Sequence, residues 1–405
     1  MSISWLSSPI GQGIIQSARE YSDPLNAIPA LRKRYAQIDP NLISMAYSQA
    51  QMQLRLESRW SESASDLLLT DDGISQATRP EVAKFRSEFV SKKFGAKAHV
   101  LDLTCGLGFD SREFARQGLR VTAVEIDSEI ADFARHNLKS YGVDVHCADA
   151  SDYVIPEDVD VVFIDPARRD PNAAKDSKGN TKRIFDPSQW SPTWETINNI
   201  AKRYPVVAKV APGIDKAELS NWDARWVSSD SDLVECFLSS SGTGIRAAVL
   251  IDSQQGSSLE VLGDSVTKTQ NLGSYLIVPD SALIRASALD LVAKLCNGGL
   301  VNEHIAWLTS DDASAVSELA NQSPSLANVI KIESHFKFSD KQLAANLKDV
   351  AASGVTVMTR GMQLDVEAIR KLAVKATAPG KQELIVAIYR DDAGPHALIC
   401  RRYLS

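Results

Sequence analysis

LDLTCGLGFDSREFA, residues 101–115, decides the fold. Its apolar start, AHVLDLT from residue 98, reads as a short buried strand, and FDSREFARQ from residue 109 reads as an amphipathic helix. Between them stand Gly106 and Gly108, which permit a tight turn and let a ligand approach the backbone. The free N–H groups at the start of the helix face that ligand. In an open α/β sheet, such a site lies outside the carboxyl ends of the strands.

The turn is not a full dinucleotide fingerprint. Ser111 stands where the third glycine of GxGxxG would be, and Asp102 immediately precedes the turn. A pyrophosphate is a poor neighbour for a carboxylate, whereas a cationic ligand is a good one. S-adenosylmethionine carries a sulfonium and an amino group, so Asp102 suits it better than NAD. Glu125 closes the next strand, VTAVEID, at the distance where an acid meets a ribose diol. The competing reading is an ordinary strand-end acid. Asp149 in HCADA reaches the same edge, where it can accept from an adenine amino group beside a backbone donor at Ala150; a surface-turn acid is the alternative.

Working outward, strand and helix alternate. LRVTAVEID, VDVHCAD, VDVVFIDP and YPVVAKVAP read as strands, and SEIADFARHNLKSYG and PTWETINNIAKR as helices. Short continuous apolar strands fit a parallel sheet covered on both faces. LVECFLSS and GIRAAVLIDS follow in close succession around Gly242 and Gly244 and suggest a hairpin. Residues 1–95 read as helical, with a turn expected at Asp71-Asp72-Gly73. From about residue 275, DSALIRASALDLVAKLC, DKQLAANLKDVAASG and DVEAIRKLAVKA read as helices. GVTVMTRG reads as a strand, and KQELIVAIYRD with PHALICRRYL as a terminal hairpin. The expected domains are a helical region 1–95, an α/β domain 96–255 and a small α+β domain 256–405.

Composition narrows the function. The chain has 405 residues and a formal charge of −7, which argues mildly against a general polyanion binder. Five scattered cysteines without a CxxC pair indicate neither a disulfide scaffold nor a zinc cluster. The isolated histidines offer no metal spacing, so no metal is expected. MSISWLSSPIGQG does not read as a secretory signal and no long apolar run occurs, so a cytoplasmic protein without a membrane span is expected.

The stretch VVFIDPARRDP, 161–171, places Asp165, Pro166, Arg168 and Arg169 at the exit of a buried strand. The polar loop RRDPNAAKDSKGNTKR, 168–183, has six basic residues against two acids, with Trp190 and Trp194 just beyond. A basic loop with aromatics can grip a nucleic-acid backbone and stack a base. A solvated loop with tryptophans packed on the sheet is the plain alternative. Lys209 sits in a strand, where it can reach a substrate phosphate, pair with Asp165 or snorkel to the edge.

LDLTCGLGFD, VTAVEID, CADA and IDPARRD resemble the motifs of class I S-adenosylmethionine-dependent methyltransferases. YLIVPDSALIRA, 275–286, and GVTVMTRGMQLDVEAIRKLAV, 354–374, extend the likeness to bacterial methyltransferase-like proteins with a C-terminal THUMP-like domain. The resemblance implies a Rossmann-like seven-stranded methyltransferase sheet, preceded by an N-terminal helical region and followed by a small α+β domain. It implies S-adenosyl-L-methionine as cofactor, held by Asp102, Thr104, Gly106, Gly108, Asp110, Glu125, Ile126, Asp149 and Ala150. It places Asp165 and Pro166 where this class keeps an Asn/Asp-Pro-Pro-aromatic motif beside the target amine, here altered to Asp-Pro-Ala-Arg. Arg168 then stands where the stacking ring would be, and Arg169, Lys182, Arg183 and Lys209 become candidate substrate contacts. ISQATRPEVAKFRSEF resembles a segment that packs over the cofactor, with Gln76, Thr78 and Arg86 as candidate contacts. In the tail, Arg360, Arg370, Lys371 and Lys375 form a candidate RNA patch. The expected activity is methylation of a base nitrogen in tRNA or rRNA. Methylation of a protein or small-molecule amine, and RNA binding without turnover, remain the alternatives; the sequence leaves the oligomeric state open.

Overall fold

The computed structural model describes residues 2–60, 62–168, 184, 186–240, 242–263 and 267–403. They divide into two units. One comprises residues 1–210, 214–222 and 237–242; the other comprises 211–213, 223–236 and 243–405.

The first unit begins with helices α1 (Ser2–Leu6), α2 (Pro9–Ala18), α3 (Pro24–Arg34), α4 (Pro40–Trp60), α5 (Asp71–Gln76) and α6 (Pro80–Phe94). Four of them start on proline, whose fixed φ and missing donor suit the first helical position. Ile14, Ile15, Leu31, Ile43 and Leu56 form their core with Leu67, Leu68 and Leu69. The 67–69 run is extended and needs partners for its backbone. Gln49 Nε2 donates to the Leu69 carbonyl and its Oε1 accepts from Leu69 N, both at 2.8 Å, while Gln53 Nε2 donates to Leu67 O at 2.8 Å. The turn expected at Asp71-Asp72-Gly73 is instead the start of α5. Thr70 caps it by accepting from Gly73 N at 3.1 Å, and the two acids favour a helix N-terminus.

Strands β1 (His99–Asp102), β2 (Arg120–Glu125), β3 (Asp144–Cys147), β4 (Val161–Ile164) and β5 (Val206–Val210) are parallel. Helices α7 (Phe109–Arg116), α8 (Ser128–Leu138) and α9 (Trp194–Ala201) lie between them in sequence. β1 and β4 are buried at every position, as the unbroken apolar runs require. Asn137 of α8 fastens the helical region to this core: it accepts from Leu68 N and donates to the carbonyls of Leu68 and Leu107.

Strands β6 (Asp223–Ser229), β7 (Asp232–Ser239), β8 (Arg246–Asp252) and β9 (Ser257–Leu262) complete the sheet in the order β3-β2-β1-β4-β5-β7-β6-β8-β9. The central mixed α/β sheet is the Rossmann-like core expected, but it has nine strands rather than seven. The hairpin expected between the segments flanking Gly242 and Gly244 does not form. β8 pairs with β6 in parallel and with β9 antiparallel. β6, DARWVSS, has no apolar run to announce it: its Arg225 is buried and donates to Glu260 at 2.9 Å. The tight reversal is at Asp230-Ser231, both at positive φ, between β6 and β7.

The second unit continues with β10 (Tyr275–Pro279), α10 (Ser281–Ala286), α11 (Asp290–Leu295), β11 (Gly299–Asn302), β12 (Ile305–Ser310) and α12 (Ala313–Ala320). It ends with β13 (Ala327–Lys337), α13 (Asp340–Leu347), β14 (Ala351–Arg360), α14 (Val366–Ala376), β15 (Ala378–Asp391) and β16 (Gly394–Arg402). Its seven strands run in the order β11-β12-β10-β13-β16-β15-β14, and β15 and β16 form the expected terminal hairpin. The single helix expected over 280–296 is broken at Ser287, which takes the left-handed conformation after α10. Two of the histidines are not isolated. His335 Nε2 and His396 Nδ1 are 2.9 Å apart, and His396 Nε2 is 3.1 Å from Asp391.

Among the described residues no helix is long and apolar enough to cross a membrane. Among them, too, no cluster of three or more His, Cys, Asp or Glu side chains could hold a metal.

Candidate active site

The bend after β1 is built from two glycines with different duties. Gly106 has φ +54°, and a Cβ placed on it would meet nothing within 4 Å, so the bend has an open face there. Gly108 has φ +87° and caps α7; a Cβ there would lie 2.8 Å from the Leu138 side chain. It must therefore be glycine for conformation and for space together. Cys105 N donates to Val124 O at 2.9 Å, which ties the bend to β2. Cys105 itself is buried, and burial pushes its thiol well above the ordinary range, consistent with a packed residue rather than a nucleophile.

Asp102 exposes no surface. Its carboxylate accepts from Ser111 Oγ at 2.6 Å and from Thr104 N at 3.1 Å. Ser111, which replaces the third glycine of a dinucleotide turn, thus anchors the acid before the bend. Burial raises the Asp102 carboxyl to about 7, against the pull of the Ser111 bond and with a further push from Asp110. With no surface exposed, Asp102 acts on a ligand at the bend only through its field and through the backbone it holds.

Glu125 stands at the end of β2. One oxygen accepts from Gly106 N at 3.0 Å and the other from Asp127 N at 2.9 Å, so the bend itself aims the carboxylate. Burial raises this carboxyl too. Asp127 caps α8 by accepting from Glu129 N and Ile130 N. Ile126 is 59% exposed, an apolar side chain held in the open beside Glu125. Asp149 is exposed after β3 and accepts from Ser151 N at 2.8 Å, and Ala150 lies within that turn.

Asp165 leaves β4 toward the same bend. Its N–H donates to Thr104 Oγ1 at 2.7 Å, so Thr104 joins the β1 turn to the β4 exit. Its Oδ2 accepts from Lys209 Nζ at 2.5 Å, with the two side chains only 26% and 13% exposed. Of the options open to Lys209, the structure shows the pairing with Asp165. Pro166 is buried. Ala167 is bridged to Ser191 in both directions, at 2.7 and 3.1 Å, and the Arg168 carbonyl accepts from Ile184 N at 2.8 Å. These contacts close the base of the basic loop. Arg169, Lys182 and Arg183 lie outside the described residues. Trp190 and Trp194 are only 3% and 6% exposed and pack edge to face at 6.1 Å, so they serve the core.

Thr78 and Arg86 are interior partners. Arg86 is fully buried and ion-pairs with Asp110, the second residue of α7. Thr78 Oγ1 lies 3.2 Å from Asp110 Oδ2, 3.2 Å from Arg86 Nη2 and 3.1 Å from Lys209 Nζ. Burial alone would raise the Asp110 carboxyl; Arg86 and then Lys209 hold it below its ordinary value. Gln76 is exposed at the end of α5. A buried arginine inside EVAKFRSEF has no sequence signal beyond its place on a half-apolar helix, which is why its partner Asp110 was not legible.

With this geometry in place, similarity to known proteins becomes informative. Residues 100–174 match the model of a methyltransferase domain, and residues 327–402 match that of a THUMP-like domain. The chain carries a methyltransferase domain and a C-terminal THUMP-like domain. An uncharacterized S-adenosylmethionine-dependent methyltransferase of Mycobacterium tuberculosis is 25% identical over 354 residues, covering 83% of this chain and 89% of that one. The crystal structure of a protein from Porphyromonas gingivalis W83, assigned as a methyltransferase, has the same fold. Its TM-score is 0.66 at 17% identity, and the match covers 97% of this chain and 98% of that one.

The residues present fit S-adenosylmethionine. The open face of Gly106, the Glu125 carboxylate held beside it and the exposed Ile126 offer a bend, a diol acceptor and an apolar cover. Asp102, once ionised above about pH 7, adds a negative field that a sulfonium favours.

Proposed function

We propose that this methyltransferase modifies a base nitrogen in RNA, with the acceptor amine held against Asp165. One observation carries the reading: Asp165 is fastened by its own N–H to Thr104 of the glycine bend, so the acceptor-holding carboxylate and the cofactor bend are parts of one rigid assembly. S-adenosylmethionine, when bound there, supplies a methyl group activated on sulfur.

This chain's residues do the rest by alignment and charge. Lys209 occupies Asp165 Oδ2 and leaves Oδ1 to accept one N–H of the target amine. The Pro166 backbone carbonyl is proposed to accept the second. The nitrogen lone pair forms the N–C bond as the C–S bond breaks, and sulfur keeps that electron pair. The proton displaced from nitrogen passes to Asp165 Oδ1 and on to water. Glu125 and Ile126 are proposed to hold the ribose and adenine ends, and Asp149 and Ala150 the adenine edge. Arg168, at the closed base of the loop, is proposed to stack on the base or hold a phosphate, since a guanidinium does both. The THUMP-like match at 327–402 supports RNA as the substrate class.

The test is transfer of a tritiated methyl group to total RNA from a strain lacking the gene, followed by nucleoside analysis. A labelled base is expected. Label that appears only in protein or small molecules would replace RNA with another amine. No shift in melting temperature with saturating S-adenosylhomocysteine would remove the cofactor reading as well.

A further inference from the structure

We propose that Thr78 positions the catalytic carboxylate, acting through Lys209. The inference rests on the reading of Asp165 as the acceptor-holding group. Its basis is a hydroxyl in contact with three charged side chains, Asp110, Arg86 and Lys209, with Asp165 one contact further on. A threonine hydroxyl has one proton to give and two lone pairs. Arg86 and Lys209 can only donate, so their contacts at 3.2 and 3.1 Å use both lone pairs. The single proton must then go to Asp110 Oδ2, 3.2 Å away. Every capacity of the hydroxyl is used and its direction is fixed.

The consequence falls on Asp165. Two ion pairs are joined through one oxygen: Arg86 and Asp110 both touch it on one side, and Lys209 touches it on the other while pairing with Asp165. Arg86 is fully buried, so its side of the cluster cannot drift. Thr78 transmits that rigidity to the Lys209 ammonium, which is otherwise a point charge on a flexible stem. With the ammonium fixed, Asp165 Oδ2 is held and Oδ1 keeps one orientation toward the amine. Asp110 lies in the first turn of α7, two positions after Gly108, so the same hydroxyl links the cofactor bend to the acceptor edge. Lys209 is thereby a positioning residue as well, and not a contact of the substrate phosphate.

The experiment compares wild type, Thr78→Val, Thr78→Ala and Thr78→Ser in the full chain. Three readouts are taken: S-adenosylhomocysteine affinity by calorimetry, methyl transfer to total RNA from the deletion strain, and the rate at which acetic anhydride labels Lys209, read by mass spectrometry. Valine and alanine are expected to lower kcat by about 10²-fold, the scale of a small misalignment. KM and S-adenosylhomocysteine affinity should stay within about threefold, and Lys209 labelling should rise about tenfold as the ammonium is freed. Serine, which keeps the hydroxyl, should recover most of both. Unchanged kcat or unchanged Lys209 labelling in the valine and alanine variants would overturn the proposal. So would a loss of cofactor affinity that accounts for the whole effect. If wild type leaves RNA unlabelled, the RNA reading fails, while the Lys209 labelling still decides whether Thr78 holds the ammonium.

Discussion

Replacing Asp102 by asparagine should change how stability depends on pH, in a direction the structure fixes. Asp102 is buried and its carboxyl is raised from 3.8 to about 7. The native state therefore holds a proton there that the unfolded chain has already released. Stability rises with pH only where the unfolded state binds more protons; here the native state binds more, so stability falls as pH rises. The loss begins near the unfolded value of 3.8 and is complete above about 7. At about 1.4 kcal/mol per pH unit, the whole interval is worth about 4 kcal/mol, and about 3 kcal/mol of it lies above pH ~5. An asparagine side chain cannot titrate, so in the variant this component vanishes. Urea unfolding of both proteins at about pH 5, 6, 7 and 8 isolates it, because the other titrating groups cancel in the difference. Relative to wild type, Asp102→Asn should gain about 3 kcal/mol between the lowest and highest pH. A constant difference across that range would show that Asp102 is ionised throughout and that Ser111 and Thr104 fully offset its burial.

The remaining predictions concern the bend and its neighbours. Glu125→Ala removes the acceptor of Gly106 N and should weaken S-adenosylhomocysteine binding by at least about tenfold in calorimetry, the scale of a charge-assisted hydrogen bond. Asp165→Ala should slow methyl transfer by about 10²- to 10³-fold, measured in single turnover, while cofactor affinity stays within about threefold. Gly108→Ala should cost about 2–4 kcal/mol, combining left-handed strain with a Cβ pressed against Leu138. In a Leu138→Ala background only the strain part, about 1–2 kcal/mol, should remain by denaturant unfolding. Arg86→Met strips the buried Asp110 of its ion-pair partner, leaving only Thr78 and the field of Lys209 to offset its charge, and should destabilise by about 3 kcal/mol in the same assay.

What the sequence conveyed, and what it did not, follows from the range of the interactions. The glycine bend, the acids at the ends of β1 and β2 and the cap at Asp127 are local, and their residue types betray them. β1 and β4 were legible because strands buried on both faces need unbroken apolar runs. β6 was not, since its buried Arg225 is made tolerable by Glu260 thirty-five positions away. Of the cluster around Thr78, the Lys209–Asp165 pair was among the options read from the sequence, while the rest was hidden for the same reason: its members come from α6, α7, β5 and the β4 exit. The expected helix over 280–296 failed at Ser287, where a left-handed residue ends α10 with no glycine to announce it. The broken hairpin at Gly242 and Gly244 came from reading adjacency in sequence as pairing, when β6 had already taken the place beside β8.

The altered Asp-Pro-Ala-Arg motif has a structural reason. Ala167, which stands where the related motif carries its second proline, is anchored by the two-way bridge to Ser191, and the next position, where the aromatic would stack on the target base, is Arg168. Beside that bridge Trp190 and Trp194 are buried, with Trp194 tilted against Trp222 at 5.4 Å, so neither ring is available to a base. Stacking must therefore come from a side chain beyond the bridge, and Arg168 is the first described residue there. Its carbonyl is held by Ile184 N, which fixes where the guanidinium stem starts on that edge. A planar cation in that place would favour a substrate with both a π-face and a phosphate over a free small amine. The motif's departure from the aromatic form thus argues for a nucleic-acid substrate and not against catalysis, because the groups proposed to align the amine, Asp165 and the Pro166 carbonyl, are retained.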